Sequence, residues 1–598
     1  MPCFTQAQNK KYEETGSSQD SVKIYNKIHK FALKRKITYW LYSAIFIEPK
    51  PYTPVPLVKK SRKKIIDPFI RYKGKIIRKI EFVTLDPFGT DVNNIDLEQK
   101  NFFIKAGNKL HVKTTRFAIR NQVLFKKGKP VDPLQLRETE RLIRQSGYIR
   151  DARVLINPIK EEKDSVDVVV ITQDVWSITG SAAVNTSSGN LKFRDKNFVG
   201  SGQLMENNIT YNYNTNPGLD IIGSYTAPNI RKTFVSGSIY YRASALNYYE
   251  GISFTRQFYS PITKWAGGIN TMWSHSIGSF TSTEGLITTF PVQYNLQDLW
   301  LGRSFQIFQG RADVQRSSRF VVTSRIYRQS YSKRPGIEMD SLRTYQPSTL
   351  YLSSVGYSTR LYYKDKNIFR FGYTEDVPEG RLFALIGGVE DKEFYSRWYT
   401  GVKMAAGEHI NNFGYLAAGF EYGTFFRDKK IEKAVINSDL TYFTDLMQWG
   451  KWSMRQFIYC KFVHGARRDP NERININSDL YGFTSDPVSG TTTIFLNLQN
   501  VVYTPLRFIG FQFAFVGFAG FGMVGEKQRP LFKTQVYQAY GVGVLIRNEH
   551  LVLNTFQVSI GFYPNLAGAN SYKLNPISSY NLRIKDYYLS KPELISYQ

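Results

Sequence analysis

Residues 551–562 read LVLNTFQVSIGF, and their side chains change character from one position to the next. The even-numbered positions are almost all apolar, whereas the odd-numbered positions from 555 to 561 are small or polar. A period of two places successive side chains on opposite faces of a β-strand, here one face suited to lipid and one to water. The sequence therefore predicts a membrane-spanning strand whose lipid face comprises Phe556, Val558, Ile560 and Phe562.

The same two-residue period recurs upstream. Residues 494–499 alternate between branched apolar and polar or aromatic side chains, and residues 539–546 repeat the pattern. Aromatic residues make up 15% of the 598-residue chain, which suits the aromatic girdles of a membrane barrel. No segment reaches the roughly 18 consecutive apolar residues that a spanning helix needs. These observations predict a mainly β fold, a transmembrane antiparallel β-barrel.

Motifs typical of catalytic, cofactor-binding or metal sites are missing from the sequence. Residues 520–525 (GFGMVG) match the GxGxxG dinucleotide fingerprint, but they lie inside an alternating strand instead of between a strand and a helix. The six histidines are scattered, and Cys3 and Cys460 are far apart. We therefore predict no catalytic residues, no cofactor-binding residues and no metal ligands, and we expect the protein not to be an enzyme.

The net charge of +30 raises the question of a nucleic-acid partner. The charge is spread over strands and loops as well as the N-terminal segment, so no basic groove is indicated, and we expect no nucleic-acid partner. The densest run, residues 59–64 (KKSRKK), fits a solvated surface. An interaction with acidic proteins, phosphate-bearing lipids or cell-wall polymers is the alternative.

The N-terminal 71 residues precede the first regular pattern. Residues 1–8 (MPCFTQAQ) are similar to the end of a signal peptide, the alternative being a disordered N-terminus. Residues 9–71 form a basic segment with an amphipathic helix from about Ser21, followed by a proline-rich extended linker. The helix suits docking on a partner or a membrane face, or packing on its own domain.

Residues 72–176 predict a separate α/β domain. The strand Ile76–Leu85 is followed by a helix over 114–125 and a second helix over 134–146. Pro133 stands at the first position of that second helix, where its missing N–H has no cost. Strands over 152–157 and 166–172 complete the order strand, helix, helix, strand, strand.

This order resembles a POTRA domain, the periplasmic module of the BamA/TamA superfamily of outer-membrane assembly and translocation proteins. The stretch 136–156 (LRETERLIRQSGYIRDARVLI) is similar to the second helix and following strand of that module. Residues 193–202 (FRDKNFVGSG) resemble the turn between the family's first two barrel strands, with Asn197, Gly200 and Gly202 at its defining positions.

The resemblance implies a barrel of about 16 strands within residues 177–563 and external loops between them. The candidate loops are 280–300, 324–348 and 465–490. The seam between the first and last strands would lie between residues 176–186 and 551–563. The C-terminal tail, 564–598, has no lipid face, and it is either periplasmic or folded into the lumen.

Residues 480–483 resemble the tip of the family's inward-folded loop. The tip comprises Leu480, Tyr481, Gly482 and Phe483. The family carries an arginine where Tyr481 stands, and an acidic residue is common where Gln499 stands. Because both positions are neutral here, we expect a Tyr–Gln contact in the lumen to replace an ion pair. The alternative is that these are ordinary loop and lumen positions.

The resemblance further implies a function and a location. The expected function is an assembly or insertion factor of BamA/TamA type, a specialised paralogue or accessory subunit included, in which a client strand adds to the opened seam. The alternatives are a channel like those of two-partner secretion and a passive porin. Expected partners are outer-membrane lipid, client β-barrel or translocated proteins, and periplasmic or outer-membrane assembly subunits. The expected location is the bacterial outer membrane, with the N-terminal domain in the periplasm.

Overall fold

The computed structural model comprises an N-terminal α/β domain and a closed β-barrel. It describes all residues except 1–66, 95–101, 215–217, 282–286, 309, 311, 341–342, 369–370, 478, 482, 484–487, 509–510, 549–555, 566–571, 576–583, 585 and 598. The predicted segment 1–8, nearly all of 9–71 and the loop residue Gly482 lie outside the described residues.

The α/β domain contains a three-stranded sheet covered by helices. Its elements are β1 (Ile76–Leu85), α1 (Phe102–Leu110), α2 (Arg116–Asn121), α3 (Pro133–Gln145), β2 (Ile149–Pro158) and β3 (Ser165–Asp174), after a 3-10 turn at Ile70–Tyr72. The strand order is β1-β3-β2, with β1 parallel and β2 antiparallel to β3. The predicted strand 76–85 is confirmed to the residue, and the other predicted elements lie within a few residues of the observed ones. The prediction missed α1.

Local chemistry explains the boundaries of α3. The Asp132 side chain accepts a hydrogen bond from the N–H of Leu134, and Pro133 occupies the first turn. The helix ends at Ser146, before Gly147, whose φ of 78° lies in the left-handed region that glycine tolerates.

The hydrophobic core of the α/β domain is self-contained. Ile77, Leu136, Val166 and Val168 have no exposed surface, and all their core neighbours lie between residues 69 and 170. We therefore expect a fragment of residues 67–176 to fold alone, with a mixed α/β circular dichroism spectrum and cooperative thermal unfolding. The fragment with Leu136→Ala should unfold more easily by about 2–5 kcal/mol, because the change leaves a cavity. A disordered spectrum for the unmodified fragment would contradict this expectation.

The barrel begins with six strands of moderate length and continues with longer ones. The first six are β4 (Ile178–Val184), β5 (Ser188–Phe198), β6 (Gln203–Asn212), β7 (Leu219–Ala227), β8 (Ser236–Ser244) and β9 (Asn247–Arg256). The next elements are β10 (Trp265–Thr281), β11 (Ile287–Gln306), α4 (Asp313–Ser317), β12 (Arg319–Lys333), β13 (Ser348–Lys366), β14 (Thr374–Lys392), β15 (Ser396–Ile410), β16 (Gly414–Arg427) and β17 (Lys430–Phe443).

The remaining strands complete the wall. They are β18 (Met447–Trp449), β19 (Trp452–Ala466), β22 (Thr492–Phe508), β23 (Phe511–Gly525), β24 (Tyr537–Asn548), β25 (Phe556–Phe562) and β26 (Tyr572–Asn575). The segments β20 (Ile474–Asn475) and β21 (Ser489–Gly490) pair only with each other, and a 3-10 turn spans Leu531–Lys533. Neighbouring strands of the wall pair in antiparallel fashion in the described residues, and β26 lies beside β4 to close the sheet.

The alternation read from the sequence describes the two faces of the wall correctly. Val558 and Ile560 are exposed on the outside of β25, whereas Ser559 between them is buried. On β24, Val542 is exposed and Ala539 is fully buried. An apolar exterior on a sheet without free edges is what a strand-built membrane protein requires. Among the described residues, no helix is both long enough and apolar enough to cross a membrane.

The expected count of about 16 strands is wrong. Within the described residues, the closed sheet contains 20 strands when β17 and β18, which both pair with β19, are counted as one interrupted strand. The predicted loop 280–300 is largely strand, because β11 is 20 residues long, and the predicted loop 324–348 is strand as far as Lys333. Polar side chains on the outward faces of β11 and β12, such as Gln297 and Arg328, hid this continuation from the alternation pattern.

Two positional predictions also need correction. The turn at residues 199–202 joins β5 to β6, the second and third strands, because the short strand β4 precedes them. Phe556 to Phe562 lie on the next-to-last strand, not on the closing one, because β26 follows in the predicted tail.

Candidate functional site

The seam of the barrel joins β26 to the short, exposed strand β4. β4 has seven residues, whereas β13 and β14 have nineteen each. Every residue of β4 is exposed. The backbone hydrogen bonds that hold a wall together scale with the length of the paired strands. The seam is therefore a weak line in the wall.

The turn after β5 rests on the α/β domain. The Nδ2 of Asn197, a residue 1% exposed, donates to the Thr114 hydroxyl at 2.9 Å, and its Oδ1 accepts from the N–H of Gly202 at 2.7 Å. Gly200 and Gly202 have φ values of 69° and 75°. A Cβ at Gly200 would lie 2.4 Å from the carbonyl oxygen of Lys113, so only glycine permits this approach. The three predicted turn residues thus fix the first strands of the barrel against the domain.

Helix α3 is attached to the same end of the barrel by buried charges. The Arg144 guanidinium donates two hydrogen bonds to Asp376 on β14, at 2.9 and 2.6 Å, and both side chains are buried. Arg144 also lies near Glu140, which bonds to Lys364 on β13. A bidentate arginine–carboxylate pair fixes orientation as well as distance. These pairs hold α3 at one angle across the barrel mouth.

Charge and burial compete at this junction. Burial alone would lower the pKa of the Arg144 guanidinium, but the Asp376 carboxylate outweighs it, so the pKa lies above its ordinary value. Arg141 behaves in the same way beside Glu138, and it also donates to the carbonyl oxygen of Tyr259 at 2.6 Å. Both arginines stay charged at any pH that the fold survives. None of the contacts between α3 and the barrel was visible from the sequence, because those partners lie more than 100 residues apart.

The loop between β19 and β22 folds into the lumen as expected. The Tyr481 hydroxyl donates to Oε1 of Gln499 at 2.8 Å, which is the contact predicted from the two neutral residues. The carbonyl oxygen of Tyr481 accepts from the hydroxyl of Tyr563, and Leu480 and Phe483 are buried in a cluster of inward-facing side chains. The structure therefore brings four of the five predicted loop and lumen residues together, while the fifth, Gly482, is outside the described part.

The lumen beneath this loop has two different halves. Along β5 to β10 the inward side chains are polar and bond to one another. Examples are Asn190 with Asn208, Arg242 with Asp220, and Tyr240 with Asn270. Along β13 to β24 the lumen is filled by aromatic and aliphatic side chains, including Tyr415, Phe443 and Phe457. One half is therefore suited to water and the other is closed.

The C-terminal tail accounts for much of the closed half. Ile584 packs at the domain end of the lumen, Tyr587 bonds to Tyr415 at 2.7 Å near its middle, and Ile595 packs with Tyr399 further out. Tyr597 reaches the carbonyl oxygen of Thr491, beside β22 at the opposite end. Of the two positions left open by the sequence for this tail, the structure selects the lumen.

No group of three or more histidine, cysteine, aspartate or glutamate side chains suited to a metal occurs within the described residues. The GxGxxG match of residues 520–525 forms the end of β23, as expected of a strand.

Comparison with known proteins gives remote structural likenesses. No protein-family model matches the chain, and no curated protein matches it. A solved structure of BamA from Haemophilus ducreyi lacking POTRA domains 1-3 is 10% identical, covers 84% of this chain and 83% of its own, and has a TM-score of 0.30. CdiB from Acinetobacter baumannii is 11% identical, with coverages of 92% and 97% and a TM-score of 0.35. CdiB from Escherichia coli is 10% identical, with coverages of 83% and 75% and a TM-score of 0.38.

Proposed function

We propose that this protein is an outer-membrane assembly and insertion factor that adds a client β-strand at the seam between β26 and β4. The shortness of β4 supports this proposal above all. Each backbone hydrogen bond contributes about 0.5–1.5 kcal/mol, so a ladder along the seven residues of β4 opens far more readily than one along the nineteen residues of β13. An opened edge presents unpaired N–H and C=O groups to an incoming strand.

In this proposal the α/β domain is a POTRA domain in the periplasm. Its sheet order and its attachment across one barrel mouth suit a module that receives clients or assembly subunits before they reach the seam. The work is done by strand pairing, without catalysis or a cofactor. Outer-membrane lipid and client β-barrel proteins are the proposed partners.

A second candidate function is polypeptide translocation through the lumen, as in a two-partner secretion channel. It is favoured by the polar half-lumen along β5 to β10, where Lys192 is exposed and Asn190 bonds to Asn208 and Thr210. Polar side chains and water in that half would let the backbone of a passing chain stay hydrogen-bonded.

Site-specific photocrosslinking in native membranes distinguishes the two. A photoreactive residue at Ala182 on β4 should form adducts with client barrel proteins, because the seam strand contacts them directly. The same residue at Ile252, on the outer face of β9 within the wall, is the matched control and should form none. If only a photoreactive residue placed at Lys192 formed adducts, translocation would be supported instead. Equal crosslinking from Ala182 and Ile252 would contradict seam pairing.

A further inference from the structure

The inner wall contains a groove shaped by glycines around the C-terminal tail. We call it the lumen groove and define it by Gly407, Gly423 and Gly465. A Cβ at Gly407 would lie 1.8 Å from the Tyr587 hydroxyl, and one at Gly423 would lie 2.7 Å from Cγ1 of Ile595 and 2.4 Å from the hydroxyl of the wall residue Tyr399. At Gly465 the distance to the Tyr597 ring would be 2.4 Å. A larger residue at any of these positions would therefore meet the tail.

Four polar contacts of the lumen groove go to the main chain of the tail. The carbonyl oxygens of Tyr587, Pro592 and Ser596 accept hydrogen bonds from wall side chains, and the N–H of Ile595 donates to one. The wall partners are Ser358 at 2.7 Å, Arg325 at 3.1 Å, Asn437 at 2.7 Å and Tyr399 at 2.7 Å, respectively. Because every polypeptide has these backbone groups, such contacts recognise an extended chain and not one sequence.

Side chains of the tail add charge complementarity and two apolar anchors. Asp586 lies 3.2 Å from Arg360, and Lys591 lies 3.1 Å from Asp298. Ile595 is 6% exposed, and Tyr587, eight residues before it, has no exposed surface. The groove therefore selects for apolar side chains at that separation along an extended segment.

We propose that the lumen groove is a binding site for an extended polypeptide segment of a client protein, and that residues 586–597 occupy it in the client's place. The inference rests on the proposed handling of polypeptide clients, which both candidate functions share. The tail holds the site closed until a client segment replaces it. Since the tail is covalently attached, its effective concentration is in the millimolar range, and only a client held nearby competes with it.

Peptide binding to a variant that lacks residues 584–598 tests this proposal. The probe is a fluorescent synthetic peptide of residues 584–598, added to purified barrels in detergent and followed by fluorescence anisotropy. We expect the truncated barrel to bind it at least tenfold more tightly than the full-length protein, whose own tail competes. Equal binding to both proteins would overturn the proposal.

Glycine substitutions in the truncated barrel supply the matched controls. Gly423→Leu fills the site of Ile595 and should weaken peptide binding at least tenfold. Gly517→Leu is the control, because nothing lies within 4 Å of a Cβ on that lipid-facing glycine, and binding should be unchanged. Unchanged binding with Gly423→Leu would place the peptide elsewhere and refute the site.

A third peptide series tests the client chemistry. An unrelated extended peptide with tyrosine and isoleucine eight residues apart should compete with the probe, whereas the same peptide with aspartate at both positions should not. Failure of the first peptide to compete would restrict the site to the protein's own tail and overturn its assignment to clients.

Two further measurements separate the possible failures. Folding of every variant is checked by its faster migration without boiling on a mild detergent gel. If the truncated barrel does not fold, a protease site is introduced within residues 576–583 of the full-length protein, which is cut after folding. The measurement is then the displacement of the cleaved tail peptide by the fluorescent probe. Because neither measurement involves strand insertion, peptide binding without adducts at Ala182 would refute seam insertion and leave the lumen groove intact.

Discussion

Replacing Arg144 by methionine is expected to destabilise the folded protein by about 3–5 kcal/mol, because the change leaves the buried Asp376 carboxylate without its cation. Glu140 keeps Lys364 as a partner, so the loss centres on Asp376. The free energy of unfolding is measured by urea titration in detergent micelles, followed by tryptophan fluorescence. Protease cleavage between the α/β domain and the barrel should become faster at the same time.

The double variant Arg144→Met, Asp376→Leu should recover much of this loss, because removing both charges of a buried pair leaves none uncompensated. The control is Arg78→Met, which breaks an ion pair with Asp167 on the exposed side of the same domain. That pair is screened by solvent, and its loss should leave stability unchanged within error. Equal effects of Arg144→Met and Arg78→Met would show that α3 does not hold the barrel through this pair.

Introducing one charge at the inward loop is expected to lower the free energy of unfolding more than introducing both charges. Tyr481→Arg alone places a cation opposite an amide in a closed part of the lumen, and Gln499→Glu alone places a carboxylate opposite a phenol. The double variant should regain much of the stability, with a coupling energy of about 1–3 kcal/mol in a double-mutant cycle on the free energy of unfolding. Additive single effects would show that the two side chains do not interact.

Two controls isolate the pair. Tyr481→Phe removes only the hydroxyl and should cost about 0.5–1.5 kcal/mol, the contribution of one hydrogen bond. Tyr481→Arg combined with Asn190→Asp, on a strand six positions away around the wall, should be additive. A coupling in this second combination equal to that with Gln499→Glu would indicate a general charge effect and no specific contact.

The sequence was most informative about features of local structure, such as the face of a strand or the end of a helix, that depend on one or a few neighbouring residues. Alternation along β22 to β25 gave the correct inward and outward faces, so that Gln499 could be placed in the lumen before its partner was known. The cap at Asp132 and the glycine at 147 gave the limits of α3. Period, capping and turn chemistry depend on neighbours within a few residues, and those neighbours are visible in the sequence.

The features that were missed depend on residues far apart in the chain. Arg144 and Asp376 are separated by 232 positions, and in the sequence each alone is typical of a surface residue. The closing strand, Tyr572–Asn575, pairs with β4, which lies at the other end of the barrel sequence. The wall glycines Gly407 and Gly423 look like small lumen residues until the tail is placed against them. Their role is steric, and it appears only when the partner's position is known.

The route of the tail restricts what can be attached to the end of this chain. Ile584 lies at the domain end of the lumen, and Tyr597 lies at the opposite mouth. Anything fused behind Tyr597 would have to pass through the lumen before the tail could seat. A short unstructured epitope can do so and would emerge on the far face of the membrane. A fused folded protein would have to cross a lumen whose β13 to β24 side is filled by aromatic and aliphatic side chains, so it would stay on the domain side and keep the tail out of its groove.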